Sequence, residues 1–175
     1  MTFPRFGYRA RQFWNALLRP ELRVQTAAIQ AHLFPSQLIL FRQMQPSEQA
    51  HAYHVFEHLR RAGNTDADLL AAALLHDVGK IFSPLSVFDR VMIVTGKYLF
   101  PKAFKRWGEG APRGLRRPFV VAVRHGEWGA DLVQKTGASS LTVELVRRHH
   151  ERFDNNPISK TEQLLIQLHK VDDQY

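Results

Sequence analysis

Apolar positions along the chain fall into blocks spaced like helices, and none of useful length alternates like a strand. The clearest block, Leu69-Leu70-Ala71-Ala72-Ala73-Leu74-Leu75, has no polar face, which predicts a central helix covered on every side. Thr65 followed at the third position by Asp68 reads as its capping box, and Gly79 as the left-handed residue that ends it. His76 and Asp77 then fall in its last turn, about 100° apart and close to the interior.

A second helix is predicted from Ser47 to Ala62, stopped by Gly63-Asn64, with an apolar stripe of Ala52, Val55, Phe56, Leu59 and Ala62. Helical geometry puts His51 about 75° from the centre of that stripe, His58 about 95° and His54 about 135°. His51 therefore looks inward most, while His54, Glu57, His58 and Arg61 are expected on a solvated face; alternatively His51, His54 and His58, at i, i+3 and i+7, make a metal patch of their own. Ahead of this helix, Pro20, Pro35 and Pro46 punctuate two short helical stretches, one holding Leu38-Ile39-Leu40-Phe41. After the central helix, Ile81 to Phe100 predicts a pair of helices broken at Pro84 and Gly96. Helices are also expected over 119–125 and 129–135 on either side of Gly126, from Ser140 to His149, and from Thr161 to Val171. The fold class is all-α.

Composition narrows this picture. A chain of 175 residues with 45% apolar content is long enough for one domain with a substantial core. It has no cysteine, so a tightly held metal must use nitrogen and oxygen ligands. Its longest early apolar run, Ala16-Leu17-Leu18, is too short for a secretory core, and no run approaches a membrane span, so a cytoplasmic location is expected.

A formal charge of +8 calls for anionic partners: nucleic acid, acidic lipid or a small phosphorylated substrate. Residues 1–23 interleave Arg5, Arg9, Arg11, Arg19 and Arg23 with aromatics, which suits a helix packed on the core, an interfacial helix or a nucleic-acid arm. Residues 101–118 carry three prolines, three glycines and six Lys or Arg against the single acid Glu109. That composition predicts a mobile basic loop, either a solvated connector or a phosphate-attracting lid.

Candidate chemistry lies in the histidines and acids in or beside helical segments: His51, His76-Asp77, His125, His149-His150 and Asp172. A buried imidazole beside a buried carboxylate must be satisfied by hydrogen bonds or by a cation. Scattered donors of this kind suit two adjacent divalent ions with open positions for water.

In the order His51-Ala52-Tyr53-His54-Val55, Leu74-Leu75-His76-Asp77-Val78-Gly79-Lys80, Arg124-His125-Gly126-Glu127-Trp128, Val146-Arg147-Arg148-His149 and Leu168-His169-Lys170-Val171-Asp172, these segments resemble the HD-domain superfamily of metal-dependent phosphohydrolases. The resemblance implies a single-domain helical bundle with a buried metal site. It divides the chain into an N-terminal helical extension, 1–46, packed on the core, and an HD domain, 47–175, carrying the basic loop 101–118. By position it assigns His51, His76, Asp77 and Asp172 as core ligands and His125 and His149 as the extra histidines of two-metal members. His150 and His54 stand as further ligands or supports.

Asp77 and Lys80 would be the catalytic pair, with Lys80, Arg124 and Arg148 on the substrate phosphate. The implied cofactor is one or two divalent ions among Mn, Fe, Ni, Co and Mg, and the implied partner a small phosphorylated substrate such as a nucleotide. A non-catalytic binding module and a di-iron oxygenase are the competing functions. His149 to Asp154 is similar to the HD-GYP phosphodiesterases of cyclic di-GMP, yet Asn155-Asn156-Pro157 stands where those have glycines and tyrosine. Cyclic di-GMP is accordingly not the expected substrate.

Overall fold

A computed structural model describes residues 26–153 and 158–174. The aromatic and arginine-rich segment 1–23 and the Asn155-Asn156-Pro157 departure both lie outside the described residues. Among those described there are nine α-helices and no strand: α1 (Thr26–Gln30), α2 (Pro35–Gln43), α3 (Pro46–Arg61), α4 (Ala67–Leu75), α5 (Val87–Leu99), α6 (Pro101–Trp107), α7 (Arg117–Gln134), α8 (Ser140–Arg148) and α9 (Lys160–Asp172). Short 3₁₀ turns occupy Val78–Phe82 and Gly114–Arg116.

Helix α4 is the centre. Every residue from Leu69 to Leu75 is buried, because α3, α8, α9 and α2 surround it. Its cap is Asp66, one position beyond the expected Thr65: the Asp66 carboxylate accepts from the Asp68 and Leu69 amides at 3.1 Å each. Asp68 is thereby turned outward to accept from Thr142 at 2.7 Å and from Ser139, which fastens α4 to the start of α8. Gly63, at φ +87°, closes α3, with the Asn64 amide donating back to the Leu59 carbonyl at 3.1 Å. Ile29, Leu33, Phe41 and Met44 from the first two helices and their connections join the same core as α4.

Several sequence expectations need correcting. Gly79 is not left-handed; it lies inside the 3₁₀ turn, where a Cβ would come within 1.9 Å of the His125 carbonyl oxygen. The position demands glycine because two backbones touch there. Gly126 does not interrupt a helix either, since α7 runs unbroken from Arg117 to Gln134. A Cβ on Gly126 would meet the Arg147 carbonyl at 2.8 Å, so its bareness lets α8 cross α7 closely. Likewise α5 continues through Gly96, which abuts the Phe119 ring.

The largest departure is 101–118, expected to be a mobile loop. Phe104 and Trp107, three residues apart, turn inward onto Phe119, with ring centroids at 5.7 and 5.0 Å. That contact folds α6, and irregular chain is confined to the stretch around Gly108–Arg113. The composition suggested a loop because two of the three prolines, Pro101 and Pro118, sit at helix starts, where their missing N–H costs nothing. Glu57, expected on a solvated face, is buried and paired with Arg60 at 3.0 Å and Arg61 at 3.2 Å.

Candidate metal centre

Five of the nine helices deliver side chains to one spot, where His76, Asp77, His125 and His149 are buried, His51 and Asp172 half-buried and His150 exposed. The end of α4 supplies His76 and Asp77, and α3 supplies His51 from its inward face. α7 brings His125, the end of α8 brings His149 and His150, and the last turn of α9 brings Asp172. The glycine crossings described above set how near these helices come, and so how near their ligands stand.

The ring nitrogens are oriented by the backbone. His76 Nδ1 lies 2.9 Å from the Ala73 carbonyl, His125 Nδ1 2.8 Å from Val121 and His149 Nδ1 2.7 Å from Val146. Each carbonyl accepts the Nδ1 proton, which turns Nε2 toward the centre.

Two donor groups result. In the first, His51 Nε2 stands 2.8 Å and His76 Nε2 3.4 Å from the same oxygen, Asp172 Oδ1. In the second, His125 Nε2 lies 3.3 Å from His149 Nε2 and 2.8 Å from that of His150. Asp77 faces both, with Oδ1 3.2 Å from His125 Nε2 and Oδ2 3.6 Å from His76 Nε2. The His76 ring, 5.3 Å from that of His51 and 5.2 Å from that of His149, joins the groups into one row.

This donor set fits divalent cations. Ligands about 2.1 Å from a common ion stand roughly 3.0–3.4 Å from one another at octahedral to tetrahedral angles, close to the spacings found here. Buried Nε2 lone pairs at such separations repel unless a cation or proton lies among them. His76 Nε2 is buried without a hydrogen bond of good geometry, the mark of a donor aimed at something other than protein.

The charges are arranged to match. Burial works against ionised Asp77, but Lys80, His76 and His125 outweigh it and hold the carboxyl well below its usual range. Burial opposes Asp172 in the same way and is overcome by His76 and His51. His76 loses affinity for its proton through burial and regains more from Asp77 and Asp172, ending at about 9. His149, buried beside His125 and His76, is pulled down to about 3 and stays neutral.

Lys80 stands against the Asp77 oxygen that faces His76, its Nζ 2.7 Å from Asp77 Oδ2 and 3.4 Å from Glu48 Oε2. The carboxylates hold its ammonium charged despite burial. Glu48 and Arg90 escaped the sequence reading. Glu48 is buried, and its other oxygen accepts from Arg90 at 2.5 Å, while Arg90 also donates to Ser47 at 3.0 Å. The spacing of Glu48 one turn before His51 was a signal that went unused; Arg90, 42 residues further on, carried none.

Of the remaining candidates, His54 is half-buried and belongs to neither donor group. Arg124 pairs with Glu127 at 3.1 Å, and Arg148 with Glu151 at 2.8 Å and Glu144 at 3.1 Å. Asp173, next to Asp172, turns to Arg152 and His169.

A family model described as HD domain matches residues 49–172, more than half of the chain. No curated protein and no solved structure matches it.

Proposed function

The chain belongs to the HD-domain family, and on that premise we propose that it hydrolyses a phosphate ester of a small anionic compound, a nucleotide foremost, with divalent metal ions in its buried centre. The observation that carries this reading is Asp77, which turns one oxygen to each of two donor groups while Lys80 stands against it.

His51, His76, Asp77 and Asp172 would hold one ion, and Asp77, His125 and His149 a second, with His150 beside them. Mn, Fe, Ni, Co and Mg all accept such nitrogen and oxygen donors. When bound, the ions supply water activation and charge neutralisation of the kind phosphate-ester cleavage needs. The protein does the rest. Backbone carbonyls fix the imidazoles, so no rearrangement is needed at the moment of reaction. Lys80 places a permanent positive charge where phosphoryl oxygens gather, and Glu48 keeps it from swinging away. Arg124 and Arg148, already paired with carboxylates, would have to exchange partners to reach the same phosphate.

The test is a screen of purified protein, loaded in turn with each of the five ions, against nucleotides and simple phosphodiesters. Metal-dependent release of phosphate or alcohol, lost in Asp77→Ala, supports the reading. Undiminished turnover in that variant refutes it, and inactivity with every ion favours a binding module that keeps the fold.

A further inference from the structure

Helix α5 is largely apolar, and much of its apolar surface is exposed. Asp89, Met92, Ile93 and Gly96 turn inward, with Gly96 against the Phe119 ring of α7. On the opposite side Val87, Phe88, Val91, Val94, Tyr98 and Leu99 lie between 41% and 68% exposed. At 100° per residue these six fall within an arc of about 140°, which also holds the exposed Thr95, so they share one face rather than being scattered. An exposed strip of that kind on a packed protein marks a contact surface.

The surroundings of the strip say what kind of contact. Lys97 flanks it on α5 itself. α6, which follows directly, buries Phe104 and Trp107 against α7 and exposes Lys102, Lys105 and Arg106. Arg113 and Arg116 follow, both exposed. From Ser83 to Arg116 the acids are Glu109 and Asp89, and Asp89 is buried and neutralised by Arg117.

A second copy of the chain would bring the same cations against these. So would the segment 1–23, which carries five arginines and one acid. An apolar strip with aromatic residues, followed directly in the chain by exposed cations, is instead complementary to an acidic lipid surface, where acyl chains accept the strip and headgroups the cations. The helix is too short to cross: thirteen residues span about 20 Å against a hydrocarbon core of about 30 Å. No single helix among the described residues is long and apolar enough to span a membrane.

We propose that the outer face of α5, with the basic face of α6, docks the protein flat onto anionic lipid bilayers. This is independent of the phosphohydrolase reading, since none of these residues belongs to the donor groups. The experiment is co-sedimentation of the full chain with vesicles of phosphatidylcholine alone and of equal amounts of phosphatidylcholine and phosphatidylserine. Binding is expected to the mixed vesicles only and to weaken with added salt. Val91→Asp combined with Tyr98→Asp should lower it at least about tenfold, and so should Lys102→Glu combined with Lys105→Glu. Circular dichroism and melting should show both pairs folded, since every altered position is exposed.

Any of four results overturns the proposal. The first is absence of binding to the mixed vesicles, and the second is equal binding to neutral ones. The third is binding that needs Lys102 and Lys105 but ignores Val91 and Tyr98, which is how a nucleic-acid surface would behave. The fourth is protection of Phe88 and Tyr98 from hydroxyl-radical labelling without lipid, which would mean that a second copy or residues 1–23 already cover the strip. Light scattering then distinguishes those two occupants.

Discussion

Helices α4 and α5 are both dominated by apolar residues, yet they end in opposite circumstances. α4 has neighbours on all sides and buries every residue from Leu69 onward, whereas α5 rests on α7 and α6 and leaves half its circumference open. Apolarity makes a helix seek cover; the number of neighbours decides whether it finds it. The covered helix ends in the candidate metal centre, whose geometry needs rigidity. The uncovered one presents a surface, which needs access.

The sharpest way to break this contrast is to make the same substitution in both places. Gly79→Ala should cost about 3 kcal/mol or more, or prevent folding, because its Cβ would strike backbone at the α7 crossing. Gly96→Ala in α5 should cost less, about 1–2 kcal/mol: its Cβ meets the edge of the Phe119 side chain rather than backbone, and alanine favours the helix. Urea titration measures both. Leu74→Ala in α4 comes next, with an expected loss of about 2–5 kcal/mol from the cavity it leaves.

Metal should stabilise the covered region specifically. Manganese at about a hundred times its dissociation constant should raise stability by about 2.7 kcal/mol, read as a higher melting temperature, and Asp77→Asn should erase most of the increase. An unchanged melting temperature in wild type would argue against the centre binding that ion.

Asp89, which fastens α5, provides a smaller and pH-dependent effect. Burial works against its charge, but Ser86 and Arg117 overcome this and hold its pKa below the ordinary 3.8. A carboxylate with a depressed folded pKa stabilises the fold above its unfolded pKa and loses that contribution as pH falls through the folded one. The stability difference between wild type and Asp89→Asn should therefore stay flat at about 1–2 kcal/mol above pH 5 and close below about pH 4. The smallest effect belongs to the open strip: Val91→Ser should alter stability by no more than about 0.5 kcal/mol, since little is buried there to lose.

Much of this was readable in the chain. The seven apolar residues before His76-Asp77 required a covered helix, and the order of the histidine motifs pointed to one centre. His51 was distinguishable from His54 by its angle to the apolar stripe, because that angle follows from helix geometry alone. The basic stretch 101–118 was misread because proline and glycine content says where a chain can turn, and says nothing of the aromatic contact that holds Phe104 and Trp107 in a helix. Glu48 was missed because a surface helix is expected to carry acids; only the arrival of Lys80 and Arg90 gives this one its place.

By itself, then, the sequence determined the helical class and the central helix, and it named the candidate donors, since these rest on local periodicity and residue chemistry. Tertiary structure alone decided why Gly79 and Gly126 must lack side chains, which nitrogen each histidine presents, and which apolar helix stays open. Those properties depend on distances between segments far apart in the chain, and such distances exist only once the helices have packed.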